Sequence, residues 1–83
     1  MIVYTIDAYS KVDENLLFEI DIPEKNANKL AEIMGLNAED KADFMHGIGV
    51  YNINKEQAIL LEVLLGRTFY SSDLTLQLSA GEI

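Results

Sequence analysis

Two short stretches near the amino terminus alternate apolar and polar side chains with one shared parity, and that parity dictates how they fold together. Over residues 2–8, Ile2, Tyr4, Ile6 and Ala8 alternate with Val3, Thr5 and Asp7. Over residues 16–22, Leu16, Phe18, Ile20 and Ile22 alternate with Leu17, Glu19 and Asp21. A period of two marks a strand with one face against a core. The polar stretch from Ser10 to Asn15 between them predicts an antiparallel hairpin with a loop of several residues. Pairing Ile6 with Phe18, and Tyr4 with Ile20, gathers the even-numbered apolar residues on one face. Thr5, Asp7, Glu19 and Asp21 then share the other. A slip of one residue would bury those acids, so the register is well specified.

The chain then changes period. Pro23 ends the second strand and suits the first turn of a helix, where its missing N–H is no loss. Ala27, Leu30, Ala31 and Met34 fall at helical spacing, and Gly35 followed by Leu36 predicts a left-handed cap. Asn37 caps a short second helical piece, with Glu39 and Asp40 in its first turn and Phe44 and Met45 near its end. Gly47 and Gly49 predict a turn or irregular crossing over 46–53, anchored by Val50, Tyr51 and Ile53. Asn54 and Gln57 have capping-box spacing ahead of a Leu-rich helix that Gly66 ends, and this helix is expected to be the most buried. Leu74, Leu76 and Leu78 alternate with Thr75, Gln77 and Ser79 as a final strand, and residues 80–83 are expected to fray.

The predicted order is β-β-α-(α)-α-β in a single α+β domain over residues 1–83. Strands that are apolar on one face need cover on that face only. The economical arrangement is a three-stranded antiparallel sheet with two or three helices on its apolar side. The other side is left to water and carries Thr5, Asp7, Glu19, Asp21, Thr75 and Gln77, with Tyr9 near the hairpin tip. The outer edge of the third strand carries no charged guard over 75–79, which leaves room for a homodimer.

Charge narrows the function classes. The 83 residues carry 14 Asp and Glu against six Lys and Arg, a formal charge of −8. Such a surplus repels phosphates, so direct binding to nucleic acid is not expected. It favours a positively charged partner. The longest apolar run falls far short of the roughly 20 residues a membrane span needs. No signal-peptide pattern follows Met1, which points to the cytoplasm. Without cysteine there is neither a disulfide nor a thiolate metal site.

Catalytic patterns are missing. His46 is the single histidine, and no Gly-X-Ser-X-Gly elbow presents a serine to it. Gly47-Ile48-Gly49 lacks the rest of a dinucleotide fingerprint, and a plain turn accounts for it. Glu39, Asp40 and Asp43 can share a helix face, and Glu19 and Asp21 a strand face about 7 Å apart. Solvated, partner-facing charge explains both groups better than a metal or an acid–base pair, and no cofactor is expected. Ser71-Ser72-Asp73-Leu74 has the wrong order and context for an acyl-carrier serine. The candidate partner-binding residues are therefore Asp7, Tyr9, Asp13, Glu14, Glu19 and Asp21 on the strands and hairpin loop. Asp40 and Asp43 form a second patch.

Three segments carry a resemblance. They are the hairpin ending in Phe18-Glu19-Ile20-Asp21-Ile22-Pro23, the helix through Leu30, and Tyr51-Asn52-Ile53-Asn54-Lys55-Glu56-Gln57-Ala58 with its Leu-rich helix. Together they resemble small bacterial immunity proteins met beside polymorphic toxins, among them contact-dependent growth inhibition systems. The resemblance spans most of the chain and implies a non-enzymatic inhibitor of one cognate toxin domain. It transfers no binding residues. The charge agrees independently, because a nuclease toxin, RNase or DNase, needs a basic substrate surface that an acidic inhibitor can occupy or flank. The alternative is an acidic interaction or regulatory adaptor with no toxin partner. A small hydrolase, the third reading, requires His46 in a buried cluster with two carboxylates.

Overall fold

A computed structural model describes residues 1–83. The chain runs β1 (Ile2–Ser10), β2 (Leu16–Ile22), a 3-10 turn (Glu24–Asn26), α1 (Ala27–Met34), α2 (Ala38–Met45), β3 (Gly49–Ile53), α3 (Lys55–Leu65) and β4 (Leu74–Glu82). All strand pairs are antiparallel, in the order β2-β1-β4-β3. The fold is α+β, as expected, but the sheet has four strands rather than three. The added strand is β3, in the segment read as an irregular crossing. Its two glycines hide a period of two. Tyr51 and Ile53 pack against the core while Val50 and Asn52 are exposed. Because β3 pairs with β4, the outer edge of β4 is occupied and is not open to a homodimer.

The hairpin register differs from expectation by two residues. Ile6 pairs with Ile20, Tyr4 with Ile22 and Ala8 with Phe18. A two-residue shift preserves every side chain's face, so burial alone cannot distinguish it from the expected pairing. The loop decides. β1 continues to Ser10, and Ser10 N donates to Asn15 O at 2.9 Å, closing a tip of four residues. Within the tip, Asp13 Oδ1 accepts from Asn15 N at 3.1 Å, and Glu14 takes a positive φ of 61°.

One core lies on the even face. Tyr4, Ile6, Ala8, Ile20, Ile22, Leu76 and Leu78 from the sheet meet Ala27, Leu30, Ala31, Phe44, Ala58 and Leu61 from the helices. Tyr4 is wholly enclosed. Its ring centroid lies 4.6 Å from that of Phe44, and its hydroxyl donates to Phe44 O at 3.1 Å. Burial, and secondarily Glu24, raises the tyrosine pKa above 10.0, so the donor proton stays in place.

The helix ends follow their caps. Gly35 and Gly66 adopt left-handed φ values of 65° and 68°. Asn37 accepts from Asp40 N, and Asn54 with Gln57 forms the capping box. α3 is less covered than its composition suggests. Ala58 and Leu61 are buried, but Ile59, Leu60 and Val63 are exposed, because the helix packs by one stripe and has apolar residues beyond it. The final residues do not fray. β4 pairs with β1 as far as Ile2 and Glu82, and Ile83 N donates to Met1 O at 2.9 Å. No helix is long and apolar enough to cross a membrane.

Between α3 and β4, Glu62 takes over a role no cap fills. Its Oε2 accepts from Phe69 N at 2.8 Å and Tyr70 N at 2.9 Å, fixing the turn that buries Phe69. These two bonds hold the carboxyl below its ordinary value of 4.5. The folded state therefore releases this proton more readily than the unfolded chain. The contribution is complete above 4.5 and fades as pH falls through the lowered value. Urea melts at stepped pH should show stability declining with acid through that window, and Glu62→Gln should flatten the decline.

Candidate functional site

Packing the helices on the even face leaves the odd face bare. Across it, from β2 to β3, run two rows. One is Asp21, Thr5, Ser79 and Val50, and the other is Glu19, Asp7, Gln77 and Asn52. The face contains no Lys or Arg. Its charge is lateral, with acids on the β2 flank and amides on the β3 flank, where Gln77 Nε2 donates to Asn52 Oδ1 at 3.2 Å. Glu19 and Asp21 are exposed. The sole salt bridge of the chain is Lys29 to Glu32, 3.7 Å apart on α1, so neither carboxylate has an internal counter-charge.

Asp7 departs from expectation. It lies on the odd face as predicted but is only 6% exposed, so it cannot present its charge to a partner as Glu19 does. A short side chain at the centre of the sheet is crowded by Thr5 and Tyr9 along its own strand and by Glu19 and Gln77 opposite. Two hydroxyls satisfy it. Thr5 Oγ1 donates to Oδ1 at 2.8 Å, and Ser79 Oγ donates to Oδ2 at 2.6 Å. The triad joins β1 to β4 and is a structural clamp. Asp7→Ala removes both acceptors and should lower stability by about 1–3 kcal/mol, whereas Glu19→Ala on the exposed flank should stay within about 0.5 kcal/mol. Urea unfolding of the two variants compares them directly.

Tyr9 is half-buried near the hairpin end, and Asp13 and Glu14 are exposed at its tip. The tip is held to the sheet, since Lys11 N donates to Asp73 O at 3.2 Å. Beside it, a shallow hollow of about 550 Å³ is lined by Tyr9, Ser10, Lys11, Glu14, Thr75 and Gln77. It offers an aromatic ring and both charge signs, enough to receive one polar or cationic side chain. Sequence reasoning placed Tyr9 and Glu14 here but missed Lys11. The loop's tether to Asp73 is a long-range contact with no local signal.

Asp40 and Asp43 are not part of this surface. They sit on α2, whose Phe44 belongs to the core, so α2 lies in the layer across the sheet from the bare face. Asp43 is exposed and Asp40 half-buried. Burial first, then these two acids, raises the Tyr51 hydroxyl pKa above 10.0. One flat partner cannot cover both acidic patches at once.

His46 is exposed at the end of α2, and its Nδ1 lies 2.7 Å from Ala42 O. No three His, Cys, Asp or Glu side chains converge as a metal site would require. The buried cluster of His46 and two carboxylates that the hydrolase reading needs is thus not formed. No curated protein and no solved structure matches the chain. One family model, described as a domain of unknown function (DUF7683), matches residues 3–79, which takes in every helix and nearly all of the four-stranded sheet. The chain is a member of the DUF7683 family.

Proposed function

We propose that this chain is a cytoplasmic immunity protein that binds a cognate toxin domain, a cationic nuclease, and neutralises it by occupying or flanking its basic substrate surface. The observation that carries the reading is the bare sheet face, where exposed Glu19 and Asp21 have no internal counter-charge. A cation supplied from outside gains attraction there without first breaking an ion pair. The hairpin tip extends the surface with Asp13 and Glu14, and the hollow beside Tyr9 offers a seat for one anchoring side chain. The resemblance to immunity proteins supports the same reading. A standard interface takes about 800 Å² from each partner, within reach of one sheet face plus a loop on a chain of 5189 Å² total surface. Speed favours acid on such an inhibitor, because complementary charge raises association rates towards 10⁸–10⁹ M⁻¹s⁻¹ at low salt, as an order of magnitude.

The test is coexpression with the carboxy-terminal domain of a large secreted protein whose gene directly precedes this one, as the reading requires. Growth rescued by this chain, together with a complex that co-purifies, is the expected result. Toxicity undiminished by the intact chain, with no complex recovered, removes the reading.

A further inference from the structure

β2 is the outermost strand on its side of the sheet, and its backbone has β1 as its only neighbour. Alternate N–H and C=O groups along its free rim therefore face no strand. Sheets usually guard such a rim with short length, Lys, Pro or a bulge. β2 is seven residues long and contains neither Lys, Arg nor Pro. Its one irregularity, the register shift between Ala8 and Tyr9, lies at the Leu17 end and leaves Phe18–Ile22 in regular pairing. The strand is covered only on its core face, at Ile20 and Ile22. All of its residues except Ile20 and Ile22 are exposed, including Leu16 at 46% and Phe18 at 38%. The opposite rim is different. β3 has five residues, begins at Gly49 with φ 134°, and runs directly into the capping box of α3.

The side chains along β2 specify what can lie beside it. Glu19 and Asp21 project on the bare face, while Phe18 and Ile20, paired with Ala8 and Ile6, project on the helix-bearing face. Residues opposite one another in adjacent strands share a face. We infer that the free rim of β2 receives a strand of the cationic partner, with Lys or Arg at every second position beside Glu19 and Asp21 and apolar residues between them beside Phe18 and Ile20. Backbone bonds along the rim supply affinity, and the alternation supplies selectivity. A second copy of this chain is a poorer occupant. It brings its own −8 charge, and pairing two copies of β2 crowds their acids onto one face. The inference rests on the reading that the partner is a cationic protein, and not on that partner's being a toxin.

The test uses the isolated chain and two blocked octapeptides of equal charge and composition. One alternates Lys and Val, and the other places four Lys before four Val. Titration followed by amide exchange should show the alternating peptide slowing exchange at amides along 16–22. The block peptide should bind at least about tenfold more weakly, as loss of a few backbone bonds predicts. Equal affinity for both peptides overturns strand addition and leaves the cationic-partner reading standing on charge alone. Slowed exchange at β3 instead of β2 overturns the placement, and binding of neither peptide overturns the inference outright. A dimer in sedimentation, with the β2 amides already protected before peptide is added, assigns the rim to a second copy and also overturns it. In each of these cases the growth-rescue experiment decides the toxin reading separately.

Discussion

Phe44→Ala is expected to remove about 3–5 kcal/mol of stability, the range for deleting a fully buried aromatic ring. A domain of this length commonly holds a total of roughly 4–12 kcal/mol. The variant should therefore lose between about a quarter and all of its stability, read as a proportional fall in the denaturation midpoint. The reason is local. Phe44 has no exposed surface, lies tilted against Tyr4 with ring centroids 4.6 Å apart, meets Tyr51 edge-on at 6.0 Å, and accepts the Tyr4 hydroxyl on its own carbonyl. It is the residue through which α2 enters the core. Tyr4→Phe keeps the ring contact and removes only the hydrogen bond, so its expected loss is nearer 1 kcal/mol. A urea series on the two variants separates ring packing from the bond. Similar losses in both would show that α2 is held by something other than this aromatic contact.

The second large effect is electrostatic. Reversing Glu19 and Asp21 together to Lys changes the net charge by four units and turns the β2 flank from acidic to basic. Association with the proposed cationic partner should slow by roughly 10- to 100-fold at low salt, with a smaller penalty near 1 M salt, where screening reaches about 3 Å. Folding should be little affected, since both residues are exposed and outside the core. The same reversal at Asp40 and Asp43 serves as the contrast, because α2 lies in the opposite layer. Stopped-flow rates at two ionic strengths decide between the patches. An unchanged rate for the β2 variant, with a slowed one for the α2 variant, would move the docking surface to α2.

Much of this architecture is legible from residues alone, for identifiable reasons. Side-chain alternation placed β1, β2 and β4 because each has one dry face, and the glycine and asparagine caps placed the helices because those residues answer local backbone demands. The same reasoning was blind where face parity does not decide, where glycines obscure the pattern, or where the deciding contact lies far along the chain. The hairpin register turned on the Ser10–Asn15 closure, which face parity cannot sense. β3 was masked by glycines at 47 and 49, although Val50, Tyr51 and Asn52 alternate. Asp7 was placed on the correct face, yet its burial depends on Ser79, 72 residues away. Of the candidate site, the exposed flank of Glu19 and Asp21 was readable, but the tether that positions the hairpin tip beside β4 was not.

The middle of the sheet joins β1 to β4, segments from opposite ends of the chain. This sets a timetable during synthesis. Until residues 74–82 leave the ribosome, β1 has β2 as its only neighbour, and an isolated hairpin is marginal in water. The nascent polypeptide must wait, with Tyr4, Ile6 and Ala8 lacking Leu76 and Leu78 beside them, and then close its longest loop in a single late step. Proteases and chaperones meet it during that interval, so the native sheet is complete only after translation has passed Glu82.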